Sequence, residues 1–175
     1  MKDLRTLVWE ITENGAPDTH PKLIEELKEE YAHTIEIVVP PAPIHRFTCA
    51  VHAFGLIGNQ DYEGIVMAAP KHVFAGTGFV QRLIDSGTLE PLTKPQNGDL
   101  VVYRSAGDIK HIGRMLSPDR VESKWGIGHL YRHALLEVPA NYGDAFELFK
   151  GVDVNTVLDA FVEFARENGV KFEGD

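Results

Sequence analysis

Nucleophilic chemistry in this chain would have to start from its single cysteine, Cys49, with His111 as the partner that moves its proton. Cys49 stands in Thr48-Cys49-Ala50-Val51-His52-Ala53, where the spacing of Cys49, Ala53 and Leu56 suits a helix and Thr48 is an acceptable N-cap. That places the thiol in the first turn, where unsatisfied backbone N–H groups favour a thiolate. A histidine brought beside it can take the thiol proton, hold it as imidazolium and return it to a leaving group. His111 belongs to a segment whose composition reads as a strand, which would hold an imidazole firmly. The plainer alternative is also open: a lone cysteine on a helix packs as a small hydrophobe, and a strand histidine is often structural.

Other residues could complete or replace this pair. Ser117-Pro118-Asp119-Arg120 reads as a turn with proline at its second position. A two-residue turn there pairs Ser117 with Arg120, and alternation then puts Glu122 and Lys124 on the face of His111; a bulge would restore Ser123 instead. Glu122 would orient an imidazolium best, Ser123 more weakly, and Lys124 would repel it. His129 and His133 are four apart, and His45 and His52 flank Cys49, spacings that could reach a metal ion, although neither group carries a His-Glu-x-x-His signature. Gly76-Thr77-Gly78 is too short for a phosphate-binding loop. Trp125 could line a groove or fill the core. Glu25, Glu26, Glu29 and Glu30 read as a solvated face beside Lys22 and Lys28.

The elements that must position these residues follow from periodicity. Leu7 to Thr12 is a short apolar run before Glu13-Asn14-Gly15, read as a strand and turn. Residues 21–33 read as a helix with Leu23, Ile24, Leu27 and Tyr31 on one face. Residues 34–39 are β-branched and apolar, hence a strand, ended by Pro40, Pro41 and Pro43. The Cys49 helix ends at Gly55 or Gly58. Residues 59–78 read as a loop-rich insertion, and 79–86 as a helix stopped by Gly87. Strands are expected at 100–104, 109–116 and 121–125, with Gly126-Ile127-Gly128 breaking the last. Residues 129–138 read as a helical turn or loop, and 154–168 as an amphipathic helix capped by Gly169. Helices in the first half and an antiparallel meander in the second make an α+β fold.

Composition narrows the function. The chain has 175 residues with a formal net charge of −9, 43% apolar and 25% charged, which is globular composition and one domain in length. The acidic balance argues against nucleic acid, whose phosphates need a basic face, and against an anionic membrane surface. The apolar run from Ile35 to Ile44 is broken by Glu36 and three prolines, far from the roughly 20 apolar residues a span needs. The charged N-terminal sequence does not read as a signal peptide, which points to the cytoplasm. One cysteine excludes an internal disulfide and a cysteine-rich zinc site.

A helix-borne cysteine, then Gly98-Asp99-Leu100-Val101-Val102-Tyr103, then His111-Ile112-Gly113 before a hairpin resembles the NlpC/P60 arrangement of papain-like cysteine peptidases and amidases, over roughly residues 46–143. Ser123-Lys124-Trp125-Gly126, His133 and Asn141-Tyr142-Gly143 resemble a set of small bacterial proteins with the same fold. The resemblance implies a single papain-like domain over residues 1–175 with an N-terminal helical extension. It implies a cysteine hydrolase acting through a thioester on a small peptide or other amide, with no cofactor. Its third polar group falls about a dozen residues after the histidine, at Ser123, with Glu122 close behind; it places His133 by the substrate groove, which Trp125 could also line. Members usually read Asp-Cys-Ser-Gly with an upstream tyrosine, where this chain has Thr48-Cys49-Ala50-Val51 and no such tyrosine. An inactive binding domain or an acyltransferase on the same fold are therefore the alternatives.

Overall fold

A computed structural model of the chain describes residues 2–172. Its centre is one antiparallel sheet of six strands: β1 (Glu36–Val38), β2 (Leu100–Ser105), β3 (Asp108–Ser117), β4 (Arg120–Lys124), β5 (Leu130–Ala134) and β6 (Ala145–Phe149), in the order β1-β5-β4-β3-β2-β6. Six helices accompany it: α1 (Leu4–Asn14), α2 (His20–Glu26), α3 (Cys49–Ala53), α4 (Gln60–Ala68), α5 (Thr77–Asp85) and α6 (Val154–Glu167). The fold is α+β, as the sequence predicts. Among the described residues no helix is long and apolar enough to cross a membrane.

The sheet carries a core on each face. On one, Leu100, Val102 and Ile112 pack with Val51, Phe54, Phe79, Leu83 and Phe161 from α3, α5 and α6 and the turn after α3. On the other, Val101, Tyr103, Met115, Val121, Trp125 and Tyr131 meet Val8 of α1 and Ile24 of α2. This two-sided burial explains why Leu100-Val101-Val102-Tyr103 is an unbroken apolar run: a central strand has no solvent face to keep polar. Asp99 anchors the entry to that strand. Its carboxylate accepts from the backbone N–H of Gln96 (2.8 Å) and of Gly151 (2.9 Å), so the Gly-Asp pair of the sequence ties two loops together.

Several expectations are corrected. Residues 7–12 are helical: Asp3 caps α1 by accepting from the Thr6 N–H (2.8 Å), and Leu4, Val8 and Ile11 make its inner face. The insertion at 59–78 contains α4, capped by Asn59, which accepts from the Tyr62 N–H. Residues 130–134 form β5, held between β1 and β4, and not a helical turn. The helix read at 21–33 ends early and runs into a single tight turn at Leu27–Glu29. β6 adds an edge strand beside β2.

Two irregularities in β3 set the site. Tyr103 pairs with His111 but Arg104 with Ile109, leaving Lys110 as an extra residue. Further along, Met115 pairs with Val121 and Ser117 with Arg120, leaving Leu116 extra. The hairpin turn is the expected Pro118-Asp119, yet the Leu116 bulge shifts the alternation beyond it. Gly113 consequently lies against Ser123: a Cβ on Gly113 would meet the Ser123 Cβ at 3.0 Å and Val121 Cγ1 at 2.6 Å. Gly143, with φ of +91°, ends the turn at Ala140–Tyr142 that lays Tyr142 on the sheet, in a backbone region other residues avoid.

Candidate active site

Cys49 is the first residue of α3 and half-buried. Thr48 fixes the start of this helix from both sides, accepting from the Val51 N–H (3.1 Å) and donating to the Ala75 carbonyl (2.7 Å). With five residues α3 is too short for a substantial macrodipole; the local N–H groups matter instead. Burial pushes the Cys49 thiol up, while the backbone N–H of Ile112 and of Ala50 and the Lys124 ammonium act against that without cancelling it.

His111 and Cys49 line one cavity of about 410 Å3, together with Lys124, Tyr142, Phe47 and Lys110. Along β3, Ile112 faces the α3 core, whereas the His111 ring lies between tyrosines. It stacks on Tyr142 (centroids 4.1 Å apart, planes at 9°) and lies 5.7 Å from Tyr103. Tyr142 is itself pinned, its hydroxyl accepting from the Gly126 N–H at 2.9 Å. Burial first, then His133, His52 and Lys124, hold His111 well below the ordinary imidazole value. It is therefore a neutral base at pH 7. Its Nε2 is buried with no hydrogen-bond partner among the described residues.

The structure brings Ser123 to the same sheet face as His111 but commits its hydroxyl elsewhere. Ser123 Oγ accepts from Trp125 Nε1 (3.0 Å) and bonds His133 Nε2 (2.9 Å), while His133 Nδ1 lies 2.8 Å from the Ala134 carbonyl. Since Nδ1 must donate to that carbonyl, Nε2 accepts, and the donors run Trp125 to Ser123 to His133 to Ala134. Trp125, Ser123 and His133 are fully buried and do not line the cavity. The expected substrate contact of Trp125 and His133 thus gives way to a packing role. Glu122 is on the opposite face, half-buried, bonded to His52 Nε2 (3.1 Å) and Arg132 (2.8 Å). The His52 bond, with that from Arg132, lowers its carboxyl pKa against burial. Neither candidate third residue bonds His111; the two tyrosine rings hold it.

Sequence reasoning placed Lys124 on the face of His111, as a group that would repel an imidazolium, and gave it no part in the site. It is 3% exposed, beside Cys49, its Nζ donating to the Gly126 carbonyl and 5.6 Å from the Phe47 ring centroid. The bulge at Leu116, invisible in local composition, turns it to the α3 face of the sheet. The metal readings find no geometry: among the described residues no three His, Cys, Asp or Glu side chains converge, His129 bonds the Pro17 carbonyl and His52 bonds Glu122.

The buried network makes a testable acid response. Burial lowers His133 from 6.5 to about 4. Its folded value is below its unfolded one, so the unfolded chain binds the extra proton and the stability His133 contributes above pH 6.5 is lost as pH falls toward 4. Between pH 6.5 and 5, above the unfolded carboxylate range, this amounts to about 2 kcal/mol, with His111 adding in the same direction. Urea unfolding at the two pH values measures it; a flat response would show that His133 is not buried as the neutral form. No family model, curated protein or solved structure matches this chain.

Proposed function

We propose that the protein is a cysteine-dependent acyl-transfer enzyme, a hydrolase of an amide or peptide bond, with Cys49 as nucleophile and His111 as base. The observation that carries this reading is the shared cavity: the chain's one thiol opens onto it together with a neutral buried imidazole and a buried ammonium. The neutral imidazole takes the thiol proton as Sγ bonds to the carbonyl carbon, and the Lys124 charge offsets the negative charge that develops. The Cys49 backbone N–H, in the first turn of α3, is the donor assigned to the carbonyl oxygen. Collapse of the tetrahedral adduct breaks the C–N bond, the imidazolium protonates the departing amine, and a thioester remains. Water then releases the acid; an amine acceptor in its place would make the reaction a transfer. The papain-like, NlpC/P60-type relationship and a cytoplasmic location belong to the same proposal.

A second reading, an inactive binding domain on the same fold, is favoured by one observation: burial raises the thiol and lowers the imidazole, so no ion pair stands ready. The two part on p-nitrophenyl acetate. The native chain is expected to release p-nitrophenolate and carry a transient acetyl group on Cys49 in acid-quenched intact mass, and Cys49→Ala to carry none. A native thiol acylated no faster than in the urea-unfolded chain would leave only the binding domain.

A further inference from the structure

The cavity beside Cys49 has the opposite charge from the protein around it. The chain carries −9, yet no aspartate or glutamate among the described residues lines the cavity, whereas two lysines, Lys110 and Lys124, do. Lys110, on the rim, already meets Asp108 at 3.2 Å. Lys124 does not have such a partner: no carboxylate among the described residues lies within ion-pair distance, and its one bond, to Gly126, leaves two of three N–H donors unused. A buried ammonium without a carboxylate partner costs stability: burial lowers the Lys124 pKa, opposed by the Cys49 sulfur, so an anion entering the cavity gains a cation that no side-chain carboxylate has neutralised. The remaining surface is apolar, from Phe47, Ile127 and Tyr142, and the volume, about 410 Å3, is at the small end for ligand sites.

We infer that the acyl substrate of Cys49 is a small carboxylate, an amide or peptide whose free carboxylate is received by Lys124 Nζ within this cavity. The inference rests on the reading of Cys49 as a nucleophile and adds the class of molecule it attacks. Specificity then comes from pairing a buried cation: a neutral acyl compound that fits the cavity still reacts, but more slowly than a carboxylate of its size, because it leaves Lys124 without a counter-charge.

The single thiol allows a direct test with two alkylating reagents of nearly equal size, anionic iodoacetate and neutral iodoacetamide. In each, Sγ bonds to the methylene carbon and iodide leaves. The rate ratio, iodoacetate over iodoacetamide, is measured at one pH for the folded chain and for the same chain in urea, which removes the intrinsic reagent difference. The folded ratio is expected to exceed the unfolded one at least tenfold. It should fall toward the unfolded value in Lys124→Gln, persist in Lys124→Arg, and change little in Lys110→Gln, whose side chain is on the rim. Equal folded and unfolded ratios, in a protein that p-nitrophenyl acetate still acylates, would overturn the carboxylate inference and leave the nucleophile standing. A high ratio unchanged in Lys124→Gln would remove Lys124 from it. If neither reagent nor p-nitrophenyl acetate reaches Cys49 before unfolding, the nucleophile itself falls. Should Lys124→Gln not fold, the native ratio decides against or for a cationic cavity, and Lys124→Arg, compared with Lys110→Gln, decides between the two lysines.

Discussion

Replacing His111 with alanine is expected to slow acylation of Cys49 by p-nitrophenyl acetate about 10²–10⁴-fold at pH 7. The size follows from the resting state of the pair. Burial raises the thiol and lowers the imidazole, so neither is charged at neutral pH and little thiolate exists without help. The imidazole must accept the proton during attack, and with it gone the rate follows the small free-thiolate fraction. The pH profile carries the sign. In the native chain the base is competent at every pH above its lowered value, so the rate holds through pH 6.5 with no break there and falls only at lower pH. In His111→Ala it should rise about tenfold per pH unit up to the raised thiol value. A loss smaller than tenfold, or parallel profiles, would remove His111 from the chemistry. Tyr142 shares the deleted ring's stacking, so urea unfolding of the variant must confirm that it is folded.

Ser123→Ala should lower stability by about 2–6 kcal/mol with a smaller effect on acylation. The variant strands two buried groups at once, the Trp125 indole N–H and the His133 Nε2, each of which loses its partner. Leaving a buried donor or acceptor unpaired costs about 1–3 kcal/mol. Against a usual total of about 5–15 kcal/mol, that is a large fraction. The measurement is the urea midpoint at pH 7, with acylation followed on the folded variant. A third catalytic residue gives the opposite pattern, near-native stability and a large rate loss. Conversely, Glu122→Gln keeps its size and should spare acylation, since its partners are His52 and Arg132.

Legibility in the sequence depended on whether a signal was local. The helix at 154–167 and the strands at 100–105 and 108–117 were readable because apolar spacing or alternation persists over their length. The Cys49 helix and its Thr48 cap were readable because a cap is a near-neighbour bond. β5 was not, since Arg132 and His133 interrupt its apolar run, leaving neither the continuous apolar stretch of 100–103 nor a clear alternation. Residues 7–12 carry β-branched and aromatic side chains that read as strand, and only the Asp3 cap and the packing of Val8 on the sheet decide otherwise. In the site, Cys49 and His111 were singled out by residue type, and the structure places both on one cavity. The inward turn of Lys124 and the pairing of Ser123 with His133 were not, because both depend on one unpaired residue in the facing strand and on contacts ten residues away.

The Leu116 bulge makes the β3–β4 hairpin a frame that counts in twos. Adding two residues at its tip preserves which side chains look to which core; adding or deleting one anywhere between His111 and Val121 exchanges them wholesale. Glu122 and Lys124 would then press into the layer of Val101 and Met115, and Ser123 would leave His133 behind. Length variation in this hairpin is therefore tolerated in even steps, and an odd step exchanges the cation beside Cys49 for a hydroxyl while burying two charges elsewhere.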